Sequence, residues 1–185
     1  MTKKGRTILE KERFSLTLER LCHQLIERYD NFEDTCLVGI QTSGVVMANR
    51  IRLGLQDILK IKNIQSGNLD ITFYRDDFRL REKPLQPSKT SIDFDLENKK
   101  VILVDDVLYT GRTTQAAMSA LQDHGRPSQV EMLTLVDRRF NRHLPIRADY
   151  VGITVDSIDE AYVRVEWAEE MGTDKVLLFG SKREK

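Results

Sequence analysis

The chain has 185 residues, of which 40% are hydrophobic and 31% are charged. This length and apolar content favour a single globular domain with a sizeable core and exclude a chain that is disordered throughout. The 29 basic and 29 acidic side chains cancel, so binding to nucleic acid or anionic lipid would need a local basic patch. Apolar runs such as Val101–Val104 are far shorter than the ~20 residues of a spanning helix, which predicts that the protein has no membrane partner.

The first 60 residues predict two helices around a strand. Residues 10–29 carry apolar side chains at helical spacing and predict an amphipathic helix. Thr35–Ile40 is short and apolar and predicts a buried strand, and a second helix follows from about Gly44 to Leu55. Cys22 and Cys36 lie within these apolar patterns. They are therefore expected to be buried free thiols, which indicates a reducing, cytoplasmic location.

The middle of the chain combines a predicted strand with a long polar segment. Alternation in Leu69–Tyr74 predicts a strand. The segment from Arg75 to about Lys99 contains two prolines and many charges of both signs. A connection of this length is uncommon in a compact domain and is usually a functional lid or a disordered segment. Its position directly before the chemically richest part of the chain favours a flexible active-site loop.

The second half of the chain returns to alternating elements. Val101–Val104 and Val130–Val136 predict buried strands, with a helix over Thr113–His124 between them. The tail from Val155 contains short β-like segments and ends in the strand-like Val176–Phe179. Strands that alternate with helices predict an α/β fold with a central, mainly parallel sheet flanked by helices.

The most informative segment runs from Val101 to Thr114. Its buried strand delivers Asp105 and Asp106 to the carboxyl edge of the sheet, where ligands bind in open α/β folds. The loop that follows supplies hydroxyls and a glycine, Gly111, immediately before a helix N-terminus, which favours a phosphate. Carboxylates for hydroxyl groups or a metal therefore lie beside a phosphate site, and a sugar phosphate needs both.

Three other interpretations of these motifs, and of a glycine pair earlier in the chain, are less favoured. Response-regulator receivers also end a strand with two aspartates, but normally at the first strand and without a phosphate-type loop. Gly39 and Gly44 have the spacing of a nucleotide-binding P-loop, yet Val45 and Val46 stand where Lys and Ser/Thr are required. An isolated pair of aspartates could be solvated turn residues, but the adjoining loop argues against that.

The segment from Val101 to Thr114 resembles the phosphoribosyl-diphosphate (PRPP) binding motif of type I phosphoribosyltransferases. Within that family, the chain resembles the branch that combines pyrimidine-operon attenuation with uracil transfer. The likeness runs from about residue 10 to residue 152 and weakens afterwards. Further matching stretches are Leu25–Arg28, Val38–Ile40, Asp70–Asp77, Gly125–Ser128 and Leu144–Gly152.

The resemblance implies a single type I phosphoribosyltransferase domain over residues 1–185 that joins a base to the ribose of PRPP and releases pyrophosphate, with Mg²⁺ as cofactor. Asp105 and Asp106 would be the catalytic residues, binding the ribose hydroxyls and helping to place metal-bound PRPP. The residues that would cradle the 5′-phosphate form one loop: Tyr109, Thr110, Gly111, Arg112, Thr113 and Thr114.

The resemblance places the diphosphate of PRPP between two other loops. One contains Thr42, Ser43 and Gly44, and the other is the flexible loop of about residues 75–99, preceded by Tyr74 and beginning with Arg75. In the first loop this chain has Gln41-Thr42-Ser43 where the uracil-type relative has Lys-Thr-Arg. The loss of two cations could weaken PRPP affinity, although backbone N–H groups can still bind phosphate oxygens.

The choice of base is argued chiefly from Tyr109. Purine members of the family typically carry an acid at this position, facing the purine N7, which uracil lacks. Tyr109 therefore favours a pyrimidine. Asp137 and Arg138 are expected to border the base, and Tyr162 is expected to lie in a small hood formed mainly by about residues 138–185.

The resemblance also implies a second activity, the binding of a pyrimidine-operon leader hairpin in mRNA under control of UMP or UTP. Arg20, His23 and Arg28 would contribute to the RNA face, with further arginines between residues 138 and 147. Two departures leave RNA binding open: an additional residue between Asp137 and Leu144, and isoleucine at position 153 where the relative has lysine. The alternatives are an RNA-binding regulator without catalysis and, less favoured, a purine transferase. Family members commonly dimerise, so a homodimer or larger homo-oligomer is expected.

Overall fold

The structure is a computed structural model that describes residues 5–76, 87–156 and 161–180. Within these residues the chain forms four α-helices and eight strands. The helices are α1 (Lys11–Arg28), α2 (Ser43–Leu59), α3 (Arg112–Gln122) and α4 (Ala168–Met171). The strands are β1 (Arg6–Leu9), β2 (Thr35–Ile40), β3 (Gln65–Leu69), β4 (Lys100–Leu108), β5 (Gln129–Arg138), β6 (Tyr150–Val155), β7 (Tyr162–Glu166) and β8 (Lys175–Phe179).

Five of the strands form a parallel central sheet in the order β3-β2-β4-β5-β6. This arrangement confirms the α/β fold with a parallel sheet. The order reverses direction at β2 and β4, which are neighbours although β3 intervenes in the chain. In folds of this kind, the carboxyl ends of the strands around such a reversal form the ligand-binding crevice.

Helices cover both faces of the central sheet, and β4 shows why. Ile102 and Val104 belong to the core cluster that contains side chains of α1 and α2, whereas Val101 and Leu103 belong to the cluster packed on α3. All four side chains are buried. Since successive residues of a strand face opposite sides, a continuously apolar strand must be covered on both faces.

A second, three-stranded antiparallel sheet has the order β1-β8-β7. Arg50 of α2 forms ion pairs with Glu169 of α4 and with Asp174, which directly precedes β8. These pairs join the segment between β7 and β8 to α2. The Arg50 guanidinium carbon lies 5.1 Å from the ring centroid of the buried Trp167. The hood over about residues 138–185 stays a prediction. The small sheet takes β7 and β8 from that range and β1 from the N-terminus, while β6 joins the main sheet.

One predicted strand was wrong. Leu69–Tyr74 does not form a strand, because β3 ends at Leu69 and Thr72–Tyr74 is a short 3₁₀ turn. The Asp70 carboxylate accepts hydrogen bonds from the backbone N–H (3.0 Å) and the hydroxyl (2.6 Å) of Thr72, which stabilises a turn there.

The other predicted elements are confirmed with shifted ends, and three strands, β1, β3 and β6, went unpredicted, as did the short helix α4. The predicted flexible loop is described only outside residues 77–86. Cys22 and Cys36 are buried free thiols, as predicted. None of the helices in the described ranges is both long and apolar enough to cross a membrane.

Candidate active site

The loops that follow β2, β4 and β5 meet at the carboxyl edge of the central sheet. The strands end at Ile40, Leu108 and Arg138 respectively. Because these strands are parallel neighbours, the structure brings the loop of Thr42–Gly44, the loop of Tyr109–Thr114 and the residues Asp137 and Arg138 to one edge.

The two aspartates lie inside β4 rather than after it, and they face different clefts. Asp105 lines a cleft of about 490 Å³ together with Arg75 and the loop Tyr109–Thr114. Asp106 lines a neighbouring cleft of about 500 Å³ together with Ser43 and β7. Strand alternation explains this division, since successive side chains point to opposite faces. Val107 and Tyr109 line both clefts, which therefore adjoin.

Burial raises the pKa of both carboxyl groups. Asp105 has its pKa raised well above the ordinary value, mainly by loss of solvation and next by the neighbouring charge of Asp106, while Arg75 acts in the opposite direction. The pKa of Asp106 is also raised by burial, against hydrogen bonds that include one with Ser43. Two adjacent buried acids resist simultaneous ionisation, so the pair holds protons more strongly than free aspartates.

The loop after β4 has the shape of a phosphate cradle. Gly111 has φ of +90° and precedes α3 directly, a conformation that glycine adopts without strain. The backbone N–H groups of His143 and Leu144 donate to the carbonyl of Thr110, at 3.0 and 3.2 Å, and so fix the loop from outside. The Thr114 hydroxyl is buried and has no hydrogen-bond partner among the described residues. The helix N-terminus and this hydroxyl together suit an anionic oxygen.

The loop after β2 lies against β4. Its Gln41–Thr42 peptide is cis. A Cβ atom on Gly44 would lie only 2.4 Å from the carbonyl oxygen of Val104, so only glycine allows this approach. The close contact brings Ser43, the first residue of α2, to the cleft that contains Asp106.

Tyr109 is held by two arginines at the border of both clefts. The Arg138 guanidinium carbon lies 3.7 Å from the centroid of the Tyr109 ring, and Arg138 also donates a 2.6 Å hydrogen bond to the carbonyl of Ala161. Arg142 donates to the backbone carbonyl of Tyr109 and to the Asp137 carboxylate. Asp137 is thus paired with Arg142 and lines neither cleft. Tyr162 lines the Asp106 cleft with Arg138. Their assignment to a base pocket stays a prediction.

The two residues predicted at the start of the flexible loop, Tyr74 and Arg75, lie in different surroundings. Arg75 lines the Asp105 cleft, whereas the Tyr74 hydroxyl donates to the Asp123 carboxylate at the end of α3 and lines neither cleft. The next residue, Asp76, accepts a hydrogen bond from Arg112 of the loop after β4.

Arg142 and Asp76 are site residues that sequence reasoning missed as individuals. In the sequence, Arg142 is only one of several arginines between residues 138 and 147. The pairing of Arg142 with Asp137 could have been suspected, because the two are five residues apart around a strand end. No local signal links Asp76 to Arg112, which is 36 residues away.

The predicted RNA-contacting residues lie on α1, away from these clefts. Arg20, His23 and Arg28 are all exposed. Arg20 donates to the carbonyl of Gly152 at 2.5 Å, and Arg28 pairs with Glu131 at 3.4 Å. These contacts orient two of the three basic side chains along the β5–β6 edge of the sheet.

Comparison with known proteins shows which family the chain belongs to. The chain matches the phosphoribosyl transferase domain family over residues 5–170. It is 42% identical over 181 residues to the bifunctional protein PyrR of Caldicellulosiruptor bescii, with 98% of each chain covered. It is 44% identical over 174 residues to the bifunctional protein PyrR of Bacillus cereus, covering 93% of this chain and 96% of the relative.

Solved structures share the fold at much lower identity. A hypoxanthine phosphoribosyltransferase of Staphylococcus aureus matches with a TM-score of 0.68 and 22% identity, over 96% of this chain and 93% of that one. The hypoxanthine-guanine enzyme of Leishmania tarentolae, in complex with GMP, matches with a TM-score of 0.72 and 15% identity over the whole of both chains. At these identities the likeness shows the fold alone.

Proposed function

The chain belongs to the phosphoribosyltransferase family, and we propose that it transfers the phosphoribosyl group of PRPP to uracil, giving UMP and pyrophosphate. One observation carries the proposal. A short loop after β4 presents a phosphate cradle, Thr110–Thr114, in the same cleft as Asp105, and Asp106 lines the adjoining cleft. A sugar phosphate bound there would have its 5′-phosphate and its hydroxyls satisfied by one element.

The cradle binds the terminal phosphate of the sugar. Backbone N–H groups at the start of α3 are the natural donors, since the first turn of a helix leaves its N–H groups unpaired. The buried Thr114 hydroxyl adds a donor that has no other partner among the described residues. Burial of this hydroxyl strengthens its interaction with an anion, because little water competes for it.

The carboxyl groups hold the ribose and stabilise the transition state. In the reaction the bond between C1′ and the pyrophosphate oxygen breaks and the oxygen keeps the electron pair. A bond from C1′ to N1 of uracil forms, and the N1 proton passes to water. Positive charge develops on the sugar ring meanwhile, and nearby carboxylates lower the energy of that state. Asp105 and Asp106 bind the ribose hydroxyls as hydrogen-bond acceptors.

The site fits Mg²⁺ as a cofactor brought with the substrate. Mg²⁺ prefers oxygen ligands and is often held by one or two carboxylates together with substrate phosphates. Asp105 and Asp106 supply such carboxylates. No cluster of three or more metal-binding side chains occurs within the described ranges. When bound, Mg²⁺ offsets the negative charge that builds up on the leaving pyrophosphate.

The pocket beside Tyr109 suits a pyrimidine. Tyr109 presents an aromatic ring, covered by the Arg138 guanidinium, at the position where purine members of the family typically carry an acid. Tyr162 faces the same cleft from β7 and would cover the base as part of a hood. Asp137, which is paired with Arg142, supports this pocket from behind.

The proposal is tested by measuring PRPP-dependent turnover of uracil, hypoxanthine and guanine by the purified full chain. Turnover of uracil, with pyrophosphate released in equal amount, is the expected result. Turnover of hypoxanthine or guanine in preference to uracil would overturn the assignment of the base. Closure of a loop over the site, begun by Arg75 and extending to about residue 99, stays a prediction.

A second function, binding of pyrimidine-operon leader RNA under control of UMP or UTP, is supported by the exposed basic side chains of α1. Arg20 and Arg28 are held at the β5–β6 edge by Gly152 and Glu131, and His23 lies exposed on the same helix. Basic side chains on one surface bind RNA phosphates even when the net charge is zero. A gel-shift assay with leader RNA, with and without UMP, tests this function. A shift without uracil turnover would leave a regulator that lacks catalysis.

The proposal also covers the number of copies in the assembly and the cellular compartment. We expect a cytoplasmic homodimer or larger homo-oligomer, in line with the family resemblance of the sequence. Sedimentation of the purified chain with and without UMP measures the number of copies. A monomer under both conditions would contradict this expectation.

A further inference from the structure

Phe140 is the most exposed of the large hydrophobic side chains among the described residues, at 71%. It belongs to a single 3₁₀ turn, Arg139–Asn141, that directly follows β5. One exposed apolar side chain is common on protein surfaces and needs no explanation by itself. The neighbours of Phe140 make this one informative, because arginines stand at positions 138, 139 and 142 of the same segment.

Two of these arginines hold the 3₁₀ turn from its two ends. Arg138, which precedes the turn, lies over the Tyr109 ring with 3.7 Å between Cζ and the ring centroid. Arg142, which follows the turn, donates to the carbonyl of Tyr109 and to the Asp137 carboxylate. The backbone that presents the exposed ring is thus fixed on both sides, which reduces the entropy that a ligand of this ring must overcome.

The third arginine leaves positive charge at the surface beside the ring. Arg139 pairs with Asp156 at 3.1 Å, but 59% of its side chain and 54% of its partner's are exposed. Exposed ion pairs of this kind are weak, so a phosphate can replace the carboxylate as the partner of Arg139. An aromatic ring beside a cation is the combination that binds single-stranded nucleic acid, because bases stack on the ring and phosphates pair with the cation.

The position of Phe140 favours a macromolecule over the small substrates. Phe140 lines neither of the two clefts of the candidate active site. The turn begins where Arg138 of β5 pairs with Val155 of β6, and Arg20 of α1 donates to the carbonyl of Gly152 in β6. Three residues of a strand span roughly 10 Å, so the ring and the basic side chains of α1 lie along the same edge of the sheet.

We propose that Phe140 stacks on an unpaired base of the leader RNA hairpin while Arg139 binds an adjacent phosphate. This inference rests on the proposed RNA-binding function and identifies a residue that distinguishes unpaired from paired RNA. The bases of a paired stem are stacked on one another, so an aromatic side chain stacks on a base of a loop, a bulge or an end. Since every base has an aromatic face, Phe140 contributes affinity for unpaired RNA rather than preference for a sequence.

The test compares Phe140→Leu, which keeps an apolar side chain, with Phe140→Trp, which keeps an aromatic face. The probes are a leader hairpin of the pyrimidine operon and a blunt, fully paired duplex with the sequence of its stem, both titrated in the presence of UMP. Phe140→Leu should weaken binding of the hairpin about tenfold and binding of the duplex by less than about twofold. Phe140→Trp should bind the hairpin within about threefold of the wild type. Its indole fluorescence should be quenched by the hairpin but not by the duplex, against the constant signal of the buried Trp167.

Phe73→Leu is the matched control, because Phe73 is 66% exposed but follows β3, at the opposite edge of the central sheet from β6. It should leave the affinity for both RNAs unchanged. The salt dependence separates stacking from charge. The slope of log K against log salt should be the same in Phe140→Leu as in the wild type, whereas Arg139→Met should reduce it by about 0.7, because only the arginine releases a counterion.

Equal affinities of the wild type and Phe140→Leu for the hairpin would overturn the inference, as would an equal loss for the hairpin and the duplex. A changed number of copies in sedimentation, with unchanged hairpin affinity, would assign Phe140 to a contact between copies and would also overturn it. If the wild type fails to bind the hairpin with and without UMP, the proposed RNA function is refuted and this inference with it. Equal hairpin affinities, by contrast, refute the stacking alone.

Discussion

The Arg138 guanidinium lies over the Tyr109 ring, with 3.7 Å between Cζ and the ring centroid. This contact joins the end of β5 to the phosphate loop after β4. A hydrogen bond from Arg138 to the carbonyl of Ala161 continues the connection to the start of β7. The proposed base pocket and the proposed phosphate cradle are therefore linked through one aromatic ring.

The first prediction follows from that ring. Tyr109→Phe keeps the ring and should retain the kcat/KM for uracil within about threefold, whereas Tyr109→Leu removes the cation–π contact. A partly buried contact of this kind is worth about 1–2 kcal/mol, so Tyr109→Leu should lower kcat/KM by about 5- to 30-fold. Steady-state kinetics with varied uracil measure both variants. Equal losses in the two variants would show that the hydroxyl, not the ring, matters.

The second prediction concerns Asp105, whose pKa is raised by burial and by Asp106. A group with a raised folded pKa binds more protons in the folded state than in the unfolded state. Stability therefore falls as the pH rises from the unfolded value of about 3.9 towards the folded pKa. Asp105→Asn should remove this loss and increase the free energy of unfolding at pH 8 by on the order of 1 kcal/mol or more, while abolishing uracil turnover.

Urea unfolding at several pH values measures the effect of Asp105→Asn. The gain should shrink as the pH falls and vanish below about pH 3, where the wild-type Asp105 is protonated in both states. Asp57→Asn is a control, because Asp57 is exposed and its pKa is lowered by a hydrogen bond from Lys60, so this variant should show no gain. A stability gain for Asp105→Asn that is the same at pH 4 and pH 8 would contradict the burial argument.

The third prediction uses the backbone of Gly111. An added Cβ would lie 3.3 Å from Ile146, and φ of +90° is unfavourable for any other residue. Gly111→Ala should therefore cost about 1–2 kcal/mol of stability and displace the phosphate loop. A displacement of about 1 Å should raise the KM of PRPP at least tenfold.

Gly125→Ala is the matched control for Gly111→Ala. Gly125 also has a positive φ, of +136°, and an added Cβ would lie 3.1 Å from Leu96, but it follows the opposite end of α3. It should lose stability without a change in the KM of PRPP. A similar KM of PRPP for Gly111→Ala and Gly125→Ala would mean that the phosphate does not bind at the Gly111 loop.

Sequence patterns predicted the fold well where a signal was local. The apolar run of Val101–Val104 identified β4, and the helical spacing of residues 10–29 identified α1 almost to its ends. β3 was missed because its residues, Gln65–Leu69, have little strand propensity and are held by pairing with β2. That pairing is a property of the sheet and leaves no trace in a short window.

The types of residue in the candidate site were predictable from the sequence, but the placement of the two aspartates in separate clefts was not. The sequence placed Asp105 and Asp106 together, whereas strand alternation sends them into two clefts. The strand was predicted to end at Val104, and its continuation to Leu108 depends on register with β5. The pairing of Arg142 with Tyr109 and Asp137 likewise depends on tertiary geometry.

The fourth prediction concerns Arg50, which binds both oxygens of Asp174 at 2.8 Å. Burial alone would raise the pKa of Asp174, but the hydrogen bonds and charge of Arg50 hold it below its ordinary value. Arg50→Met leaves a buried carboxylate unpaired and should cost about 3 kcal/mol at pH 7. Urea unfolding measures the loss.

The pH dependence of Arg50→Met distinguishes an ion pair from simple packing. A lowered folded pKa contributes stability above the unfolded value of about 3.9, and that stability is lost as the pH falls through the folded pKa. The difference between wild type and Arg50→Met should therefore shrink below about pH 4. A difference independent of pH would assign the effect to packing on Trp167 instead.

The last prediction concerns RNA and the side chains of α1. If Arg20 and Arg28 contact phosphates, each alanine variant should reduce the slope of log K against log salt by about 0.7–0.9, since one fewer counterion is released.

Lys60→Ala is the control, because Lys60 has the same charge but lies at the end of α2 and pairs locally with Asp57. Arg28→Ala removes one partner of the buried Glu131, which keeps hydrogen bonds from Tyr29, Tyr150 and Gln129, so the fold should be retained. Binding assays between 50 and 200 mM salt, roughly the range over which phosphate contacts are most visible, measure the slopes. Slopes that fall equally in Lys60→Ala would mean that RNA is attracted by the general charge of the surface rather than bound along α1.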